Sequence, residues 1–311
     1  MKTVDVVFVI LHYMAVDETM KSVNYITENI DTHKYHIVIV DNASGNESGE
    51  ELKAFYLDRD DVTVLINKEN LGFAKGNNVG FRYAKKTWNP DYIVLMNNDV
   101  YLLEKAFMQK TAIEYAKSHF AVMGPMILTK DGTCDANPLK SEFTSIGDID
   151  QKIRHYKKDL RRYRLRYASL YYKLAGIKGI LVNYKKKNKD FYNRAQQVKL
   201  HGCFLVFSQE YISSFDGLDE STFLFWEEEF LYKHMLANGK VMAYNPDIVV
   251  LHLEDASTDY TMSGRREKMI FMLEHYLDSL ESLKQVYLKY EEKDGEHSEK
   301  NTEDISDSSG I

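Results

Sequence analysis

From Val4 to Asp99 the sequence alternates short apolar runs with segments of helical periodicity. The apolar runs are rich in Val and Ile and read VDVVFVI, YHIVIVD, VTVLIN and YIVLMNND. The segments between them, such as ETMKSVNYITENI, repeat apolar residues at steps of three and four, which is typical of amphipathic helices. Strands that alternate with helices predict right-handed βαβ crossovers, and therefore a Rossmann-type α/β fold with a mostly parallel sheet flanked by helices.

Polar side chains follow each of these four predicted strands at the point where the strand ends. They are His12 and Tyr13, residues 41–44, residues 67–70 and residues 97–99. Ligands of open α/β sheets bind in the crevice outside the carboxyl ends of the strands. We therefore expect these four groups to converge on one pocket of the kind that binds nucleotides.

A second block with strand and helix patterns begins near Val198. It contains a strand in VKLHGCFLVFS, an acidic helix that Gly239 ends, a strand in KVMAYNPDIVVLH and a long helical pattern to about Tyr290. We expect one α/β domain whose two halves are residues 1–149 and 198–260. An insert at 150–197, a C-terminal helix at 261–290 and a disordered acidic tail at 291–311 complete the predicted organisation.

The insert differs from the rest of the chain in its charge. The whole chain has a net charge of −7, yet residues 152–190 contain 14 Lys and Arg against two Asp. Apolar and Tyr residues recur along it at steps of three and four, from Ile153 through Tyr156, Leu160 and Tyr163. Such a face is typical of helices that lie on an anionic membrane surface, and equally of a helical hairpin packed on the main domain. Both interpretations stay open.

The cysteines and the apolar segments bear on the compartment. Two cysteines, Cys134 and Cys203, do not make a disulfide framework, which favours a reducing compartment. The N-terminal stretch MKTVDVVFVILHY is too short to span a bilayer and lacks the features of a signal peptide. We expect a cytoplasmic protein, in contact with the inner face of the cell membrane if the basic segment binds it. The acidic remainder of the chain argues against nucleic acid as a partner.

The motifs resemble those of family 2 glycosyltransferases of the GT-A fold, and their bacterial polysaccharide or rhamnosyltransferase-like members most. The resemblance rests on FVILHYMAVDETMKSV, IVIVDNASGNES, NKENLGFAKGNNVGFRYA, YIVLMNNDV and HGCFLVFSQEYISSFDGLDESTFLFWEEEFL, which occur in the family's order. It covers about Val4 to Thr258 apart from the insert. It implies an inverting enzyme that moves a sugar from a UDP- or dTDP-linked donor to a hydroxyl of a glycan or polyprenyl-linked acceptor. The products would belong to a capsule, an O-antigen or a similar surface polysaccharide.

The resemblance also implies which residues bind the donor. Asp41 would accept the imide N–H of a uracil or thymine ring, with Tyr13 beside the base. Small residues and free N–H groups at the start of the helix after Asn70 favour a diphosphate. The implied donor-binding set is Tyr13, Asp41, Ser44, Asn70, Gly72, Lys75, Gly76, Asn77, Asn97 and Asn98.

The same resemblance implies a metal ion and a catalytic base. Asp99 stands where the family carries an acidic metal-binding motif, so it is the expected ligand of Mn²⁺ or Mg²⁺, with His252 as a second ligand or a phosphate partner. Asn97 and Asn98 depart from the fully acidic form of that motif. Glu227 and Glu228 match the family's acidic pair; Glu228 is the expected general base and Glu227 the reserve.

Each of these motifs has a purely structural interpretation as well. Asn-Asn-Asp suits a turn, Asp41 an Asx-turn, and the acidic run a helix start that complements the helix dipole. Two other functions compete with sugar transfer. One is a sugar nucleotidyltransferase, for which LHYMAVDET lacks the expected Gly-rich basic loop. The other is a nucleotide-sugar- or glycan-binding module without catalysis. The sequence leaves open whether the C-terminal helix forms a homodimer.

Overall fold

The computed structural model describes residues 4–165, 171, 191–254 and 264–306, with the backbone alone for 265 and 293–306. Its strands are β1 (Val6–His12), β2 (Tyr35–Asp41), β3 (Val62–Ile66), β4 (Tyr92–Asn97), β5 (Val100–Leu102), β6 (Val122–Thr129), β7 (Ala195–Gln196), β8 (Phe204–Ser208) and β9 (Met242–His252). Its helices are α1 (Val16–Asn29), α2 (Ser48–Phe55), α3 (Gly72–Trp88), α4 (Phe107–Ser118), α5 (Ile146–Arg164), α6 (Gln209–Ile212), α7 (Glu227–Ala237) and α8 (Arg265–Ser306).

The strands form one sheet in the order β3-β2-β1-β4-β8-β6-β9-β5, with β7 paired to β9. Strands β3, β2, β1 and β4 are parallel, β6 and β9 are parallel to each other, and β8 runs antiparallel between β4 and β6. This confirms the predicted α/β fold with a mostly parallel sheet. The chain leaves β1 toward β2 and β3 and then crosses to β4 on the other side, so a topological switch point lies between β1 and β4.

The register brings the predicted polar strand ends to one level of the sheet. His12 pairs with Asp41 across β1 and β2, and Leu11 pairs with Asn97 across β1 and β4. Side chains alternate between the two faces of a strand, so one face of β1 buries Phe8 in the first core. The other face buries Val9 in the second core. Both faces of the sheet are therefore covered by helices, and its carboxyl edge is left for a ligand.

A third apolar cluster joins α5 to α8 beside the sheet. Ile153 and Leu160 of α5 are buried with Leu273 and Leu280 of α8, and basic residues of α5 pair with acidic residues of α8. Along α5 the amphipathic face predicted for the insert therefore packs on the protein itself. Residues 166–170 and 172–190, where that pattern was predicted to continue, lie outside the described residues.

The C-terminal helix is longer than the sequence predicts. The prediction ended it at 290 and made residues 291–311 a disordered tail, but α8 continues to Ser306, and residues 307–311 lie outside the described part. The continuation is rich in Glu and Lys, which are good helix formers, and it contains no proline. Within the described residues, every helix is too short or too polar to cross a bilayer.

Candidate active site

A cavity of about 480 Å³ opens at the switch point between β1 and β4. Residues from the ends of β1, β2 and β4 form one side of it, and residues from the segment before α7 and from α8 form the other. The lining residues are Leu11, Tyr13, Asn42, Asn70, Phe73, Asn97, Asn98, Phe223, Leu224, Phe225, Lys268, Phe271 and Met272. The cavity lies where the sequence places the predicted pocket.

Four of the predicted donor-binding residues line this cavity, namely Tyr13, Asn70, Asn97 and Asn98. The Asn98 amide donates to Thr19 Oγ1 at 3.1 Å, so its side chain is held by α1. The backbone N–H of Asn97 donates to the carbonyl of Cys203 at 3.0 Å. These contacts fix the amide side chain of Asn98 and the backbone of Asn97 at the end of β4.

The start of α3 does not present the free N–H groups that the sequence prediction needs for a diphosphate. The N–H of Leu71 donates to Asn42 Oδ1 at 3.0 Å, and that of Gly72 donates to Asn70 Oδ1 at 2.9 Å. The N–H of Phe73 donates to the carbonyl of Phe223 at 2.9 Å. These three donors are already paired within the protein, so the expectation that they are free for a diphosphate is not met in this arrangement.

The small residues of α3 serve close packing. Gly72 has a φ of +79°, and a Cβ at this position would clash with the backbone carbonyl of Phe223. A Cβ on Gly76 would lie 2.8 Å from Leu11 Cδ1. Asn77 is 1% exposed and donates to the carbonyl of Phe73, whereas Lys75 is exposed. Gly72, Gly76 and Asn77 thus bring α3 against its neighbours.

The Asp41 carboxylate holds the loop after β2 through a local bond to the backbone three residues on, a structural role similar to the Asx-turn given as the alternative for this residue. Its carboxylate accepts the backbone N–H of Ser44 at 3.3 Å and is 2% exposed. Ser44 in turn accepts from the N–H of Met14 at 2.8 Å, so it ties two strand-end loops together. Asn42, the next residue, lines the cavity instead. The role of Asp41 in binding a base stays a prediction.

A buried polar network around His12 supports Asn98, which lines the cavity. The His12 ring is fully buried, with Nδ1 2.7 Å from Thr19 Oγ1 and Nε2 2.8 Å from Ser48 Oγ. Burial lowers the pKa of His12 to about 4, against the opposing effect of the Asp41 carboxylate. Because Thr19 also accepts from Asn98, the neutral imidazole links the start of α2 to the residue that follows β4.

Asp99 and His252 lie together beyond the end of β4. The Nε2 atom of His252 is 3.4 Å from Asp99 Oδ1, and its Nδ1 atom is buried without a hydrogen-bond partner. Burial lowers the pKa of His252, but the neighbouring Asp99 carboxylate and Cys203 thiol outweigh it and raise the pKa to about 10. Across the described residues, no group of three or more His, Cys, Asp and Glu is arranged to hold a metal ion. A divalent ion that takes its remaining ligands from phosphate oxygens would be held by the Asp99 carboxylate and by the imidazole once it has lost its proton, whereas protonated His252 would pair with a phosphate oxygen.

The segment 201–203 connects this pair to the acidic helix. The rings of His201 and His252 lie 5.6 Å apart, and the N–H of Gly202 donates to Glu228 Oε1 at 3.2 Å. Since the carbonyl of Cys203 also accepts from Asn97, one short segment contacts both the end of β4 and the start of α7. Segment 201–203 therefore links the Asp99–His252 pair to Glu228.

Three consecutive glutamates at the start of α7 have three different environments. Glu228 accepts from Gly202, whereas the Oε1 atom of Glu227 is buried without a partner. Burial, with a smaller effect from the charge of Glu228, raises the pKa of Glu227 to about 8. Glu229 is 1% exposed and accepts from Lys199 Nζ at 2.5 Å. Glu229 thus holds the structure together, whereas Glu227 and Glu228 are partly exposed at the start of α7.

Backbone strain accompanies this helix start. Phe225 and Trp226, which precede Glu227, have φ angles of 73° and 69°, in the left-handed region that larger side chains rarely adopt. Such residues cost on the order of 1–3 kcal/mol each and persist where packing holds them. Here the Phe225 ring lies 4.5 Å from that of Tyr276, and the Trp226 ring 5.3 Å from that of Phe143. Tyr276 of α8 and Phe143 thus hold the turn that precedes Glu227 and Glu228.

The raised pKa of Glu227 predicts a pH-dependent gain in stability for Glu227→Gln. The folded state keeps this proton up to a pH of about 8, whereas the unfolded chain releases it near the ordinary glutamate pKa of 4.5. The wild-type free energy of unfolding therefore falls as the pH rises through this window, by up to about 5 kcal/mol. The variant lacks this loss, so urea unfolding should find it more stable than wild type at pH 8 and close to wild type at pH 5. Glu50→Gln, which changes an exposed residue of α2, is the control; an equal difference at both pH values for Glu227→Gln would contradict the prediction.

The far wall of the cavity, formed by residues 223–225 and by α8, was not identified from the sequence. Phe223 stacks on His275 with ring centroids 5.2 Å apart, and Ser279 Oγ donates to the carbonyl of Leu224 at 2.8 Å. Residues 223–225 are thus held between α8 and the start of α3. The sequence predicts α8 as a helix but carries no signal that its first turns close a pocket more than 150 residues away along the chain.

Residues 8–187 match the family model described as Glycosyl transferase family 2, which covers more than half of the chain. This chain belongs to glycosyl transferase family 2. The resemblance stated from the sequence motifs is thereby confirmed. The family match ends before β8, so α7, α8 and the far wall of the cavity lie outside it.

One curated relative with a similar sequence is the low-salt glycan biosynthesis hexosyltransferase Agl10 of Haloferax volcanii. It is 22% identical to this family 2 chain over 197 residues, which are 63% of this chain and 52% of the relative. The chain thus spans about half the length of that relative. Sequence identity at this level does not identify the substrates of this chain.

Solved structures with a similar fold include other sugar-transferring enzymes. GalNAc-T7 with UDP, GalNAc and Mn²⁺ has a TM-score of 0.54 at 14% identity, covering 87% of this chain and 47% of its own. TarS 1–349 of S. aureus with UDP-GlcNAc has a TM-score of 0.51 at 11% identity, covering 92% and 72%. The mannosyltransferase PcManGT of Pyrobaculum calidifontis with GDP-Man and Mn²⁺ has a TM-score of 0.50 at 13% identity, covering 93% and 74%. These likenesses confirm the GT-A type of fold.

Proposed function

We propose that this chain transfers a sugar from a nucleotide diphospho-sugar to a hydroxyl group of a glycan or lipid-linked acceptor, with inversion at the anomeric carbon. One observation carries the proposal: Asn97 and Asn98 line the cavity at the switch point directly before the Asp99–His252 pair, and segment 201–203 connects the end of β4 to Glu228. A pocket of this size accommodates a nucleotide. The donors bound by the similar structures, UDP-GlcNAc and GDP-Man, support the same class of donor.

In this proposal Glu228 is the general base. It takes the proton of the acceptor hydroxyl as the oxygen attacks the anomeric carbon, while the nucleoside diphosphate leaves on the opposite face. The N–H of Gly202 holds one carboxylate oxygen of Glu228 at 3.2 Å, which leaves the other for the acceptor. Glu227, with its raised pKa, is protonated at neutral pH and donates a hydrogen bond rather than removing a proton.

Asp99 and His252 would hold Mn²⁺ or Mg²⁺ beside the diphosphate. When bound, the ion stabilises the negative charge that the leaving group gathers. The Mn²⁺ present in the PcManGT and GalNAc-T7 structures supports this assignment. Asn97 and Asn98, whose side chains line the cavity, are placed to hydrogen-bond the donor sugar.

The donor is tested by a thermal-shift screen of UDP, dTDP, GDP and CMP with and without Mn²⁺. A ligand that binds only the folded state raises the melting temperature, so one nucleoside diphosphate should stand out, and more strongly with Mn²⁺. UDP or dTDP is the expected base type. If none of the four compounds shifts the melting temperature at millimolar concentration, the proposed function is wrong.

The rival function is a binding module without catalysis. The single carboxylate at residues 97–99 favours it, because a weakly held metal ion gives less stabilisation to a leaving group. Donor hydrolysis with added Mn²⁺ separates the two. Turnover supports the transferase, and tight binding with no turnover supports the module.

We further propose that the acceptor is a precursor of a surface polysaccharide and that the insert contacts the membrane carrying it. Arg154, Lys158 and Arg161 on α5 are exposed, while the apolar face of that helix is buried against α8. The contact is therefore electrostatic along α5 and requires anionic lipid. Co-sedimentation with vesicles containing anionic lipid, compared with neutral vesicles, measures it; equal binding to both would contradict it.

A further inference from the structure

We propose that Lys268, in the second turn of the C-terminal helix α8, binds the diphosphate of the nucleotide sugar. This inference rests on the proposed function and assigns the residue that recognises the charged part of the donor. Among the described residues that line the cavity, Lys268 is the one with a charged side chain. Its neighbours there are Asn, Phe, Leu, Met and Tyr, so it alone supplies positive charge directly to the cavity wall.

A diphosphate that enters a partly apolar cavity needs a positively charged partner for its negative charge. Burying an anion without a partner costs far more free energy than the contacts of a nucleotide base return, whereas a charge-assisted hydrogen bond to an ammonium group offsets that cost. The wall opposite Lys268 offers neutral amides from Asn42, Asn97 and Asn98. Lys268 therefore supplies the positive charge that a diphosphate needs in a cavity whose other lining side chains are neutral.

The start of α3 cannot take this role in the observed arrangement. The N–H groups of Leu71, Gly72 and Phe73 donate to Asn42, Asn70 and the carbonyl of Phe223. Lys75, the cation on the same helix, is exposed and does not line the cavity. We therefore assign diphosphate binding to Lys268 of α8, whereas the sequence predicted it for the start of α3.

The position of Lys268 is fixed by packing. Phe271, one turn further along α8, lies 4.2 Å from His275 between ring centroids, and His275 stacks on Phe223. Leu273 and Leu280 of the same helix are fully buried. A cation carried by such an anchored helix is preorganised, so little conformational entropy is lost when the diphosphate binds.

The test compares ligands with and without phosphates. Isothermal titration measures UDP, dTDP and GDP with Mn²⁺, and ligand-observed NMR measures uridine, thymidine and guanosine, on wild type, Lys268→Met and Lys268→Arg. Lys289→Met is the matched control, because Lys289 is exposed on the same helix about 30 Å further along. Melting temperatures without ligand show that each variant is folded.

We expect Lys268→Met to weaken nucleoside diphosphate binding about 10- to 100-fold, the effect of losing one charged hydrogen bond. Nucleoside binding should change by less than about twofold, and Lys268→Arg and Lys289→Met should stay within about fivefold of wild type. Unchanged diphosphate binding in Lys268→Met overturns the inference, and an equal loss for nucleosides assigns the residue a structural role and overturns it too. Either result leaves the proposed function standing. A wild-type protein that binds none of the diphosphates overturns both.

Discussion

Glu228→Gln is expected to reduce sugar transfer about 10³-fold while donor affinity stays within about twofold of wild type. A glutamine cannot accept the proton of the acceptor hydroxyl. It does keep the oxygen that accepts from the N–H of Gly202 at 3.2 Å, so the helix start should stay in place. Single-turnover transfer rates and titration with the donor nucleotide, measured on the same preparation, separate chemistry from binding.

Glu227→Gln is the matched control for this experiment, because it changes the neighbouring carboxylate by the same chemistry. It exchanges a carboxyl group with a raised pKa for an amide of similar shape and leaves the proposed base in place, so a smaller loss of activity is expected. Full activity in Glu228→Gln would remove Glu228 from the role of base. A complete loss in Glu227→Gln alone would assign the role to Glu227.

Glu229→Ala is expected to lower the free energy of unfolding by about 3–5 kcal/mol. Glu229 is 1% exposed and accepts from Lys199 Nζ at 2.5 Å, from Ser141 Oγ at 2.8 Å and from the N–H of Glu142 at 2.8 Å. Its removal leaves the Lys199 ammonium group buried without its partner. Urea unfolding of the wild type and the variant at neutral pH measures the difference.

The exposed ion pair between Glu210 and Lys240 provides the control for Glu229→Ala. Its atoms are 3.0 Å apart but its side chains are 40% and 27% exposed, so Glu210→Ala should cost less than about 1 kcal/mol. Adding Lys199→Met to Glu229→Ala removes the uncompensated charge and should recover part of the lost stability. If Glu229→Ala cost no more than Glu210→Ala, the buried pair would not stabilise the fold as we infer.

The arrangement of the sheet edge follows from local sequence patterns. Apolar runs of strand length alternate with helical periodicity, and the switch from β3 to β4 sends the chain to the other side of β1. Parallel pairing then places Asp41 beside His12 and Asn97 beside Leu11. The polar strand ends of the sequence therefore sufficed to locate the cavity, because their convergence depends on the topology alone.

The closure of the cavity could not be predicted in this way. The contacts of Phe223 with His275, and of Ser279 with the carbonyl of Leu224, join segments far apart in sequence that have no pairing pattern to relate them. Helical periodicity in α8 indicates a helix but not the surface that it covers. The residues missed by the sequence analysis are therefore concentrated on this wall.

The identity of a residue in the sequence also did not show whether that residue packs against the fold or is available to a ligand. Gly72 matches a phosphate-binding helix start, but its φ of +79° and its closeness to Phe223 show a packing role. Glu227, Glu228 and Glu229 are identical in the sequence, yet one lacks a partner, one accepts from a backbone N–H and one pairs with a buried lysine. Such differences arise from tertiary neighbours, which a single sequence does not show.

The measurement that tests the central claim most directly is a crystal structure with the nucleoside diphosphate that the thermal-shift screen selects, together with Mn²⁺. We predict that the nucleotide occupies the cavity between β1, β4 and α8, with its diphosphate between Asp99 and Lys268. Glu228 would then face the position of the transferred sugar. A nucleotide bound elsewhere on the protein, or bound in the cavity with its diphosphate turned away from Asp99 and Lys268, would contradict the account.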